Sequence, residues 1–262
     1  TGSDQVWNPK IVGDDSTYFL DFAPKDKKRI SYAPSFGVSE LKDKYIQSYK
    51  EYLSRIDNLS VREREGRKII EELTKKSAEV VLDPTLLLDQ KQWSEVSIPY
   101  KNKEPYILCY YMPGDKLVNK SIEEYARAVS KLTGYQIINI GQKEYMRLQP
   151  FRNSIFSAGP SEFLGLFENA SFVVTNSFHG TAFSINFRKP FIVPINQNQI
   201  STTTLNSRVL TLLKTVGLEN RALISGKGLP TGYDLDINYR SAEESLQEAK
   251  NKSIEFLRKS LS

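Results

Sequence analysis

The stretch that decides the fold is FVVTNSFHGTAFSINFRKPF, residues 172–191. An apolar run, FVVT, ends at Thr175, a polar turn follows, and an apolar-rich segment, GTAFSINFR, resumes after it. Pro190 separates that segment from a second apolar run, FIVPI. This order predicts a strand, a helix and a second strand, which is the repeating unit of a parallel sheet covered by helices.

The same alternation extends upstream to Tyr106. YILCYY is typical of a buried strand, SIEEYARAVSKLTG of an amphipathic helix, and QIINIG of the next strand. Ser121 and Glu124 have the spacing of a capping box, which predicts that this helix begins at Ser121. SEFLGLFENA is a further helix, for which Ser161 is the predicted cap.

The first hundred residues also alternate between strand and helix patterns, in RISYAPSFG, KDKYIQSYKEYLSRID, LSVRE and EVVLDPTLLL. KQWSEVSIPYKNKEP has the composition of a linker, which predicts a domain boundary near residues 98–105. From Ser241 the tail is a long amphipathic helix. The chain opens directly on TGSDQVWNP, so we expect part of an N-terminal domain to be missing from it.

Composition excludes several classes of protein. A hydrophobic content of 39% with 26% charged residues is typical of a folded globular chain and not of disorder. The net charge of +5 is spread along the chain, so it suits a small anion as well as nucleic acid. One cysteine, Cys109, excludes an internal disulfide and favours a reducing compartment. No apolar run approaches the ~20 residues that cross a bilayer.

His179 is the only histidine, and it lies where a strand is predicted to turn into a helix. Ligands of open α/β sheets bind at such carboxyl ends of strands. The helix after it is expected to present free backbone N–H groups of Gly180 and Thr181, which favour an anion. His179 then either transfers a proton or simply caps the turn and hydrogen-bonds a carbonyl.

Two arginines are candidate anion ligands. Arg62 follows an apolar strand, where its planar guanidinium can bind a carboxylate or phosphate at two points. The alternative is a solvated helix start with local ion pairs. Arg208 begins the amphipathic helix NSRVLTLLKTVGL, where it either reaches an anion or is exposed.

GSDQVWN places Asp4, Gln5 and Asn8 around Trp7. Polar groups beside an aromatic face suit a sugar, whose hydroxyls accept and donate hydrogen bonds while its CH face stacks. The alternative is a turn of the Asx type with Trp7 in the core. No G-x-G-x-x-G, Walker A or G-x-S-x-G motif and no metal-ligand cluster occurs in the sequence.

Five segments occur together and in order: GSDQVWN, SYAPSFG, SVRE, DPTLLL and GPSEFLGLFENASFVVTNSFHGTAFSI. In this combination the chain, from Gly2 to about Arg221, resembles the polysaccharide pyruvyl transferase family. The resemblance implies a glycosyltransferase-B-like α/β fold with two Rossmann-like domains and parallel sheets. It implies residues 1–100 as the remainder of the first domain, 101–240 as the second, and 241–262 as a helix that packs back toward the first.

The resemblance also implies an activity. Family members transfer a pyruvyl unit from phosphoenolpyruvate to a sugar, which gives a ketal and releases phosphate. By position, His179 would be the general acid or base and Arg62 a donor-binding residue. The implied partners are the small donor and a saccharide acceptor, either free or lipid-linked. No nucleic acid, metal or further cofactor is implied. We expect a cytoplasmic protein without an integral membrane segment, with peripheral membrane association open.

One position departs from the family pattern. Relatives often have an arginine two residues before the histidine, where this chain has Ser177. Arg62, Arg188 or Arg208 would then replace that arginine, or the donor would differ. The alternatives are a glycosyltransferase of the same architecture with a nucleotide-sugar donor and a non-catalytic glycan-binding domain. The predicted substrate-binding residues are Asp4, Gln5, Trp7, Asn8, Asn176, Ser177, Gly180, Thr181 and Arg208.

Overall fold

The chain folds into two compact units, each built around a parallel sheet. The computed structural model describes residues 1–102, 104–112, 114–141, 153–197 and 205–262. The first unit comprises Thr1–Leu87, Gln199–Gly217 and Glu243–Ser262. The second comprises Leu88–Asn198 and Leu218–Ala242.

Helices and strands alternate through most of the described chain. The helices are α1 (Asp43–Ser54), α2 (Arg64–Thr74), α3 (Gln90–Ser94), α4 (Lys116–Thr133), α5 (Pro160–Asn169), α6 (Phe178–Asn186), α7 (Leu205–Val216) and α8 (Arg240–Leu261). The strands are β1 (Ser60–Val61), β2 (Glu79–Val80), β3 (Tyr106–Tyr110), β4 (Gln136–Ile140), β5 (Ser154–Ile155), β6 (Phe172–Thr175), β7 (Phe191–Ile195) and β8 (Ala222–Ile224). Short 3₁₀ turns occur at Thr17–Phe19, Pro84–Leu86 and Glu219–Arg221.

In the first unit, the pair β1–β2 is extended by two further chain segments. Isolated parallel bridges join Asp4 to Pro34 and Ile30 to Asn58. Four segments therefore run in parallel, and their carboxyl ends meet at one edge. Arg62 follows β1 at that edge.

The core of the first unit is aromatic. Trp7, Phe19, Phe36 and Tyr49 are fully buried and pack with the apolar residues of α1 and α2. α8 closes another side, where its Phe256 and Leu257 pack on a small cluster of Tyr32, Ala33 and Val81.

The second unit contains a six-stranded parallel sheet in the order β5-β4-β3-β6-β7-β8. This is the order of a doubly wound Rossmann sheet, in which the direction of winding reverses between β3 and β6. The fold class predicted from the sequence, α/β with parallel sheets, is confirmed. Ligands of such sheets bind outside the carboxyl ends of the strands at the point of reversal, which here is the β3–β6 border.

Three predicted helix starts are wrong. α4 begins before Ser121, because Asp115 caps it with a side chain that accepts from the N–H groups of Leu117 and Val118. α5 begins at Pro160, which suits a first helical position because that position needs no N–H donor. Ser241 lies inside α8 and does not cap it.

The units also differ from the predicted division at two places. The predicted linker belongs to the second unit, where Trp93 of α3 packs edge-on against Phe183 at 5.2 Å. α7, predicted within residues 101–240, belongs to the first unit and packs against α2. The apolar face of α7 predicts that the helix is buried, but it does not indicate in which of the two hydrophobic cores.

Candidate functional site

The carboxyl edge of the second unit is held together by an asparagine at the β3–β6 border. The Asn176 amide accepts from the Met112 N–H at 2.7 Å and donates to the Met112 carbonyl at 3.0 Å. Its nitrogen also lies 3.5 Å from the Asn119 amide oxygen. Asn176 thus joins the segment after β3 to helix α4, and the substrate contact predicted for it stays a prediction.

His179 lies at the second position of α6, directly after β6, and is half-buried. Its ring meets that of Phe178 edge-on, with centroids 5.5 Å apart. The β3–β6 border thus places the imidazole in the region where a doubly wound sheet binds ligands. A partly exposed imidazole at this place can exchange protons with a substrate.

The predicted free N–H groups at the start of α6 are wrong. Ser177 is the N-cap, and its Oγ accepts from the Gly180 N–H at 3.3 Å. The Thr181 N–H donates to the Ser177 carbonyl at 3.0 Å. Neither group remains for an anion. Gly180 has a packing reason instead, since a Cβ there would lie 2.3 Å from Oγ1 of Thr175.

Two residues that the sequence analysis missed tie the loops after β3 and β7. Asn196 donates from its amide nitrogen to the Asp115 carboxylate at 2.6 Å. Asp115 is also the N-cap of α4. An Asp before a helical pattern is a recognisable cap signal, whereas its bond to Asn196 joins residues far apart in sequence.

The carboxyl edge of the first unit is charged and buried. The Arg62 side chain has no exposed surface and donates to Asp83 and to Asp4, both at 2.9 Å. Ser3 donates from its hydroxyl to the same Asp83 carboxylate. Arg62 is thus the centre of an ion-pair network, and its positive charge is already balanced by two carboxylates.

Arg208 of α7 belongs to the same charged group. It is 6% exposed, and its Nε is buried without a hydrogen-bond partner among the described residues. Burial, and then the positive charge of Arg62, lower the pKa of Arg208 to about 10. Glu63, Asp4 and Asp83 act in the opposite direction. The sequence alternative of an exposed Arg208 is wrong.

Glu63 is a further buried charged residue at this edge, and the sequence analysis did not select it. It has no exposed surface, and its Oε1 accepts from Ser35 Oγ at 3.0 Å, Phe36 N at 2.8 Å and Gly37 N at 3.4 Å. Its Oε2 is buried and has no hydrogen-bond partner among the described residues. Burial raises the pKa of Glu63, although Arg62 and Arg208 oppose the shift.

The GSDQVWN segment is mainly structural. Trp7 is fully buried, stacks on Phe19 with centroids 5.1 Å apart, and donates from its indole to the Tyr18 carbonyl. The predicted stacking of a sugar on Trp7 is therefore wrong, because no face of the ring is open. Gln5 accepts from the Asn8 amide at 2.6 Å.

Close packing explains the glycine opposite that pair. A Cβ on Gly37 would lie 2.2 Å from the Gln5 amide oxygen. Asp4 differs from Gln5 and Asn8, because its side chain is 65% exposed while it pairs with Arg62. Asp4 is thus exposed and Gln5 half-buried, whereas Trp7 and Asn8 are buried.

No group of three or more metal-ligating side chains occurs within the part of the chain that the structure describes. In the same part, no helix is both long enough and apolar enough to cross a membrane.

A family model described as polysaccharide pyruvyl transferase matches residues 1–198. No protein with a curated description matches the sequence at a significant level.

Solved structures similar to this chain are sugar-processing enzymes of low identity. A UDP-GlcNAc 2-epimerase of Methanocaldococcus jannaschii, crystallised with UDP-GlcNAc and UDP, has 13% identity and a TM-score of 0.50 over 90% of this chain and 78% of its own. A putative UDP-N-acetylglucosamine 2-epimerase from Listeria monocytogenes has 10% identity and a TM-score of 0.49, over 91% and 64%. A variant of the wall teichoic acid polymerase TagF has 13% identity and a TM-score of 0.49, over 89% and 64%. At such identities the likeness shows the fold alone, and the likeness to the Methanocaldococcus jannaschii epimerase agrees with the predicted glycosyltransferase-B-like fold.

Proposed function

Because this chain belongs to the polysaccharide pyruvyl transferase family, we propose that it transfers a pyruvyl unit from phosphoenolpyruvate to a sugar of a cell-surface polysaccharide precursor. One sugar hydroxyl adds to the enol carbon, and the methylene carbon takes a proton to become a methyl group. A second hydroxyl displaces phosphate from the same carbon and loses its proton. The products are a pyruvate ketal and phosphate, so no redox cofactor is needed.

The family match over residues 1–198 carries this proposal, and the charges of the first unit support it. Phosphoenolpyruvate has a carboxylate and a phosphate, so its site needs at least one uncompensated cation. Arg208 fits that need better than Arg62, since Arg62 already has two carboxylates within 2.9 Å. We assign the donor's anionic group to Arg208 and an orienting role to Arg62.

Desolvation makes Arg208 a strong receptor for an anion. Its lowered pKa means that the guanidinium is held in an unfavourable environment beside a second arginine. An anion that binds there counteracts the loss of solvation and the repulsion from Arg62. It supplies the opposite charge, and it accepts the hydrogen bonds that water cannot accept from a buried guanidinium. A carboxylate is planar and a phosphate is tetrahedral, and each has two or more acceptor oxygens that can pair with the two donor groups of the guanidinium.

His179 is the proposed general acid or base. It would protonate the methylene carbon or take a proton from the attacking hydroxyl. Its position at the β3–β6 border of the second unit supports the assignment. We propose no metal requirement, a cytoplasmic location and a saccharide acceptor that is either free or lipid-linked.

The test is a phosphate-release assay of the full-length protein with phosphoenolpyruvate and a panel of nitrophenyl and lipid-linked sugars. Phosphate release that depends on both substrates, with a ketal found by mass spectrometry, is the expected result. No release with any acceptor, together with thermal protection by a nucleotide and none by phosphoenolpyruvate, would replace this proposal with a nucleotide-sugar glycosyltransferase.

A further inference from the structure

We propose that Glu63 is a second ligand of the anion at Arg208: in its neutral form it donates a hydrogen bond from Oε2 to an oxygen of that anion. The proposal rests on the assignment of an anion to Arg208 under the proposed function. It adds a residue that neither the sequence pattern nor the family resemblance singles out. It also predicts that the anion binds together with a proton.

The geometry of Glu63 separates its two oxygens into different roles. Oε1 accepts three hydrogen bonds from the Ser35–Gly37 loop, so its lone pairs are already occupied. A proton on Glu63 must therefore be carried by Oε2. That atom is buried and has no partner among the described residues, so a protonated Glu63 offers an unused O–H donor inside the charged cluster.

Arg208 presents the matching observation. Its Nε is a buried donor that also has no partner among the described residues. Each unsatisfied buried polar atom costs about 1–3 kcal/mol. Glu63 is the N-cap of α2, and Arg208 lies on α7, the helix that packs against α2. A ligand that bonds to both buried atoms would satisfy both residues. An oxyanion has the several acceptor lone pairs that this requires.

The charges around Glu63 set the direction of the pH dependence. Arg62, which follows β1, and Arg208 of α7 favour the ionised form of Glu63, whereas burial favours its neutral form and prevails. Asp4 and Asp83 form ion pairs with Arg62, and they act on Arg208 only through space. A bound anion adds negative charge beside Glu63 and raises its pKa further. Anion affinity is therefore highest at low pH and falls as the pH rises through the pKa of Glu63.

Sulfate is the probe that isolates this effect, because it keeps two negative charges over the whole range of pH 5.5–8.5. Isothermal titration of the full chain is expected to show sulfate binding that weakens by up to about tenfold per pH unit once Glu63 ionises, as one coupled proton requires. Glu63→Gln places an amide N–H₂ at the Oε2 position. It should bind sulfate with a dissociation constant that changes little with pH.

The matched control is Glu72→Gln, at an exposed position of α2, the helix that follows Glu63, and it should keep the wild-type slope. Ser35→Ala removes one donor to Oε1 and leaves Oε2 intact. Because the Ser35 hydrogen bond lowers the pKa of Glu63, this variant should keep the wild-type slope but lose sulfate affinity at a higher pH than the wild type. Arg208→Gln should weaken sulfate at every pH.

A Glu63→Gln variant with the wild-type pH slope would overturn the proposal, and so would a wild type whose sulfate affinity is flat or absent. If Glu63→Gln fails to fold, as thermal unfolding would show, Ser35→Ala decides instead: a fall in sulfate affinity at the same pH as in the wild type would overturn the proposal. Sulfate binding does not depend on the identity of the donor. A coupled proton without any phosphoenolpyruvate turnover would thus uphold Glu63 and reject the proposed donor.

Discussion

The carboxyl edges of the two parallel sheets are built from opposite kinds of side chain. In the first unit the edge buries charges, with Arg62, Glu63 and Arg208 all no more than 6% exposed. In the second unit the edge is joined mainly by neutral amides and hydroxyls, and its histidine is half-buried. Buried charge gives strong and pH-dependent interactions, while a neutral framework fixes the position of one reactive group.

This contrast predicts that the two edges fail in different ways when they are altered. Changes to the charged edge should affect stability and donor affinity together, because each buried charge depends on its partners. Changes to the neutral edge should affect the rate or the local helix start and leave donor affinity intact. The four predictions below run from the largest expected effect to the smallest.

Replacement of His179 should affect the chemistry more than any other single change. Loss of a general acid or base typically lowers the rate by about 10²–10⁴-fold. We expect this loss in kcat for both His179→Ala and His179→Gln, measured as phosphate release, with little change in donor KM or in the unfolding temperature. Gln keeps the size and hydrogen-bonding capacity of the ring. A His179→Gln variant with most of the rate would exclude proton transfer by this residue.

Asp83→Asn should have the largest effect on stability. Breaking a buried ion pair from one side costs roughly 3–5 kcal/mol, and here the buried Arg62 keeps only the exposed Asp4 as an ion-pair partner within the described part of the chain. The expected result is a loss of that order in the free energy of unfolding, measured by urea denaturation. The control is Glu71→Gln, which breaks the exposed Arg67–Glu71 pair at 2.8 Å and should cost less than about 1 kcal/mol. Equal losses in the two variants would show that burial at the Arg62 edge contributes nothing.

The sequence predicted the second unit better than the first. Its β-α-β pattern is local, so periodicity alone located the strands around His179 and the sheet class. The charged edge depends on contacts between distant residues, since Arg62 meets carboxylates 58 and 21 positions away. Periodicity contains no information on such pairs. The sequence analysis therefore did not decide between an anion-binding and an ion-paired Arg62, and it did not identify Glu63. The hydrogen bonds of Glu63 join it to the Ser35–Gly37 loop, 26–28 residues away in sequence.

The wrong predictions at the second edge have a different physical origin. They treated backbone N–H groups at a helix start as available for a ligand, although a serine stood at the cap position. The predicted stacking of a sugar on Trp7 was wrong for a similar reason. An aromatic residue among polar residues gives the same sequence pattern whether its ring is open to a ligand or, as here, stacked on Phe19. In both cases the alternative was visible in the sequence, and only the packing decided between the two.

Arg208→Ala should weaken the donor more than it slows the chemistry. Hydrogen bonds to a charged group contribute about 1.5–3 kcal/mol, which corresponds to roughly a 10–150-fold rise in donor KM. Arg208→Lys keeps the positive charge but loses the planar guanidinium, so its donor KM should lie between those of the wild type and Arg208→Ala. Arg67→Ala, at an exposed position of α2, is the control and should leave KM unchanged. A rise in KM with Arg62→Ala but not with Arg208→Ala would return the donor contact to Arg62.

Ser177→Ala should have the smallest effect of the four and decides why this chain has a serine before its histidine. As the N-cap of α6, Ser177 stabilises the helix start by about 1 kcal/mol, and Thr at this position should retain most of it. We expect Ser177→Ala to lower the free energy of unfolding by that amount while donor KM stays at the wild-type value. An arginine at the same position would lose the cap as alanine does, so Ser177→Arg should be destabilised without tighter donor binding. If Ser177→Arg instead lowered donor KM, an arginine at the edge of the second unit would bind the donor's anionic group. The proposal that only the charged edge of the first unit binds that group would then be wrong.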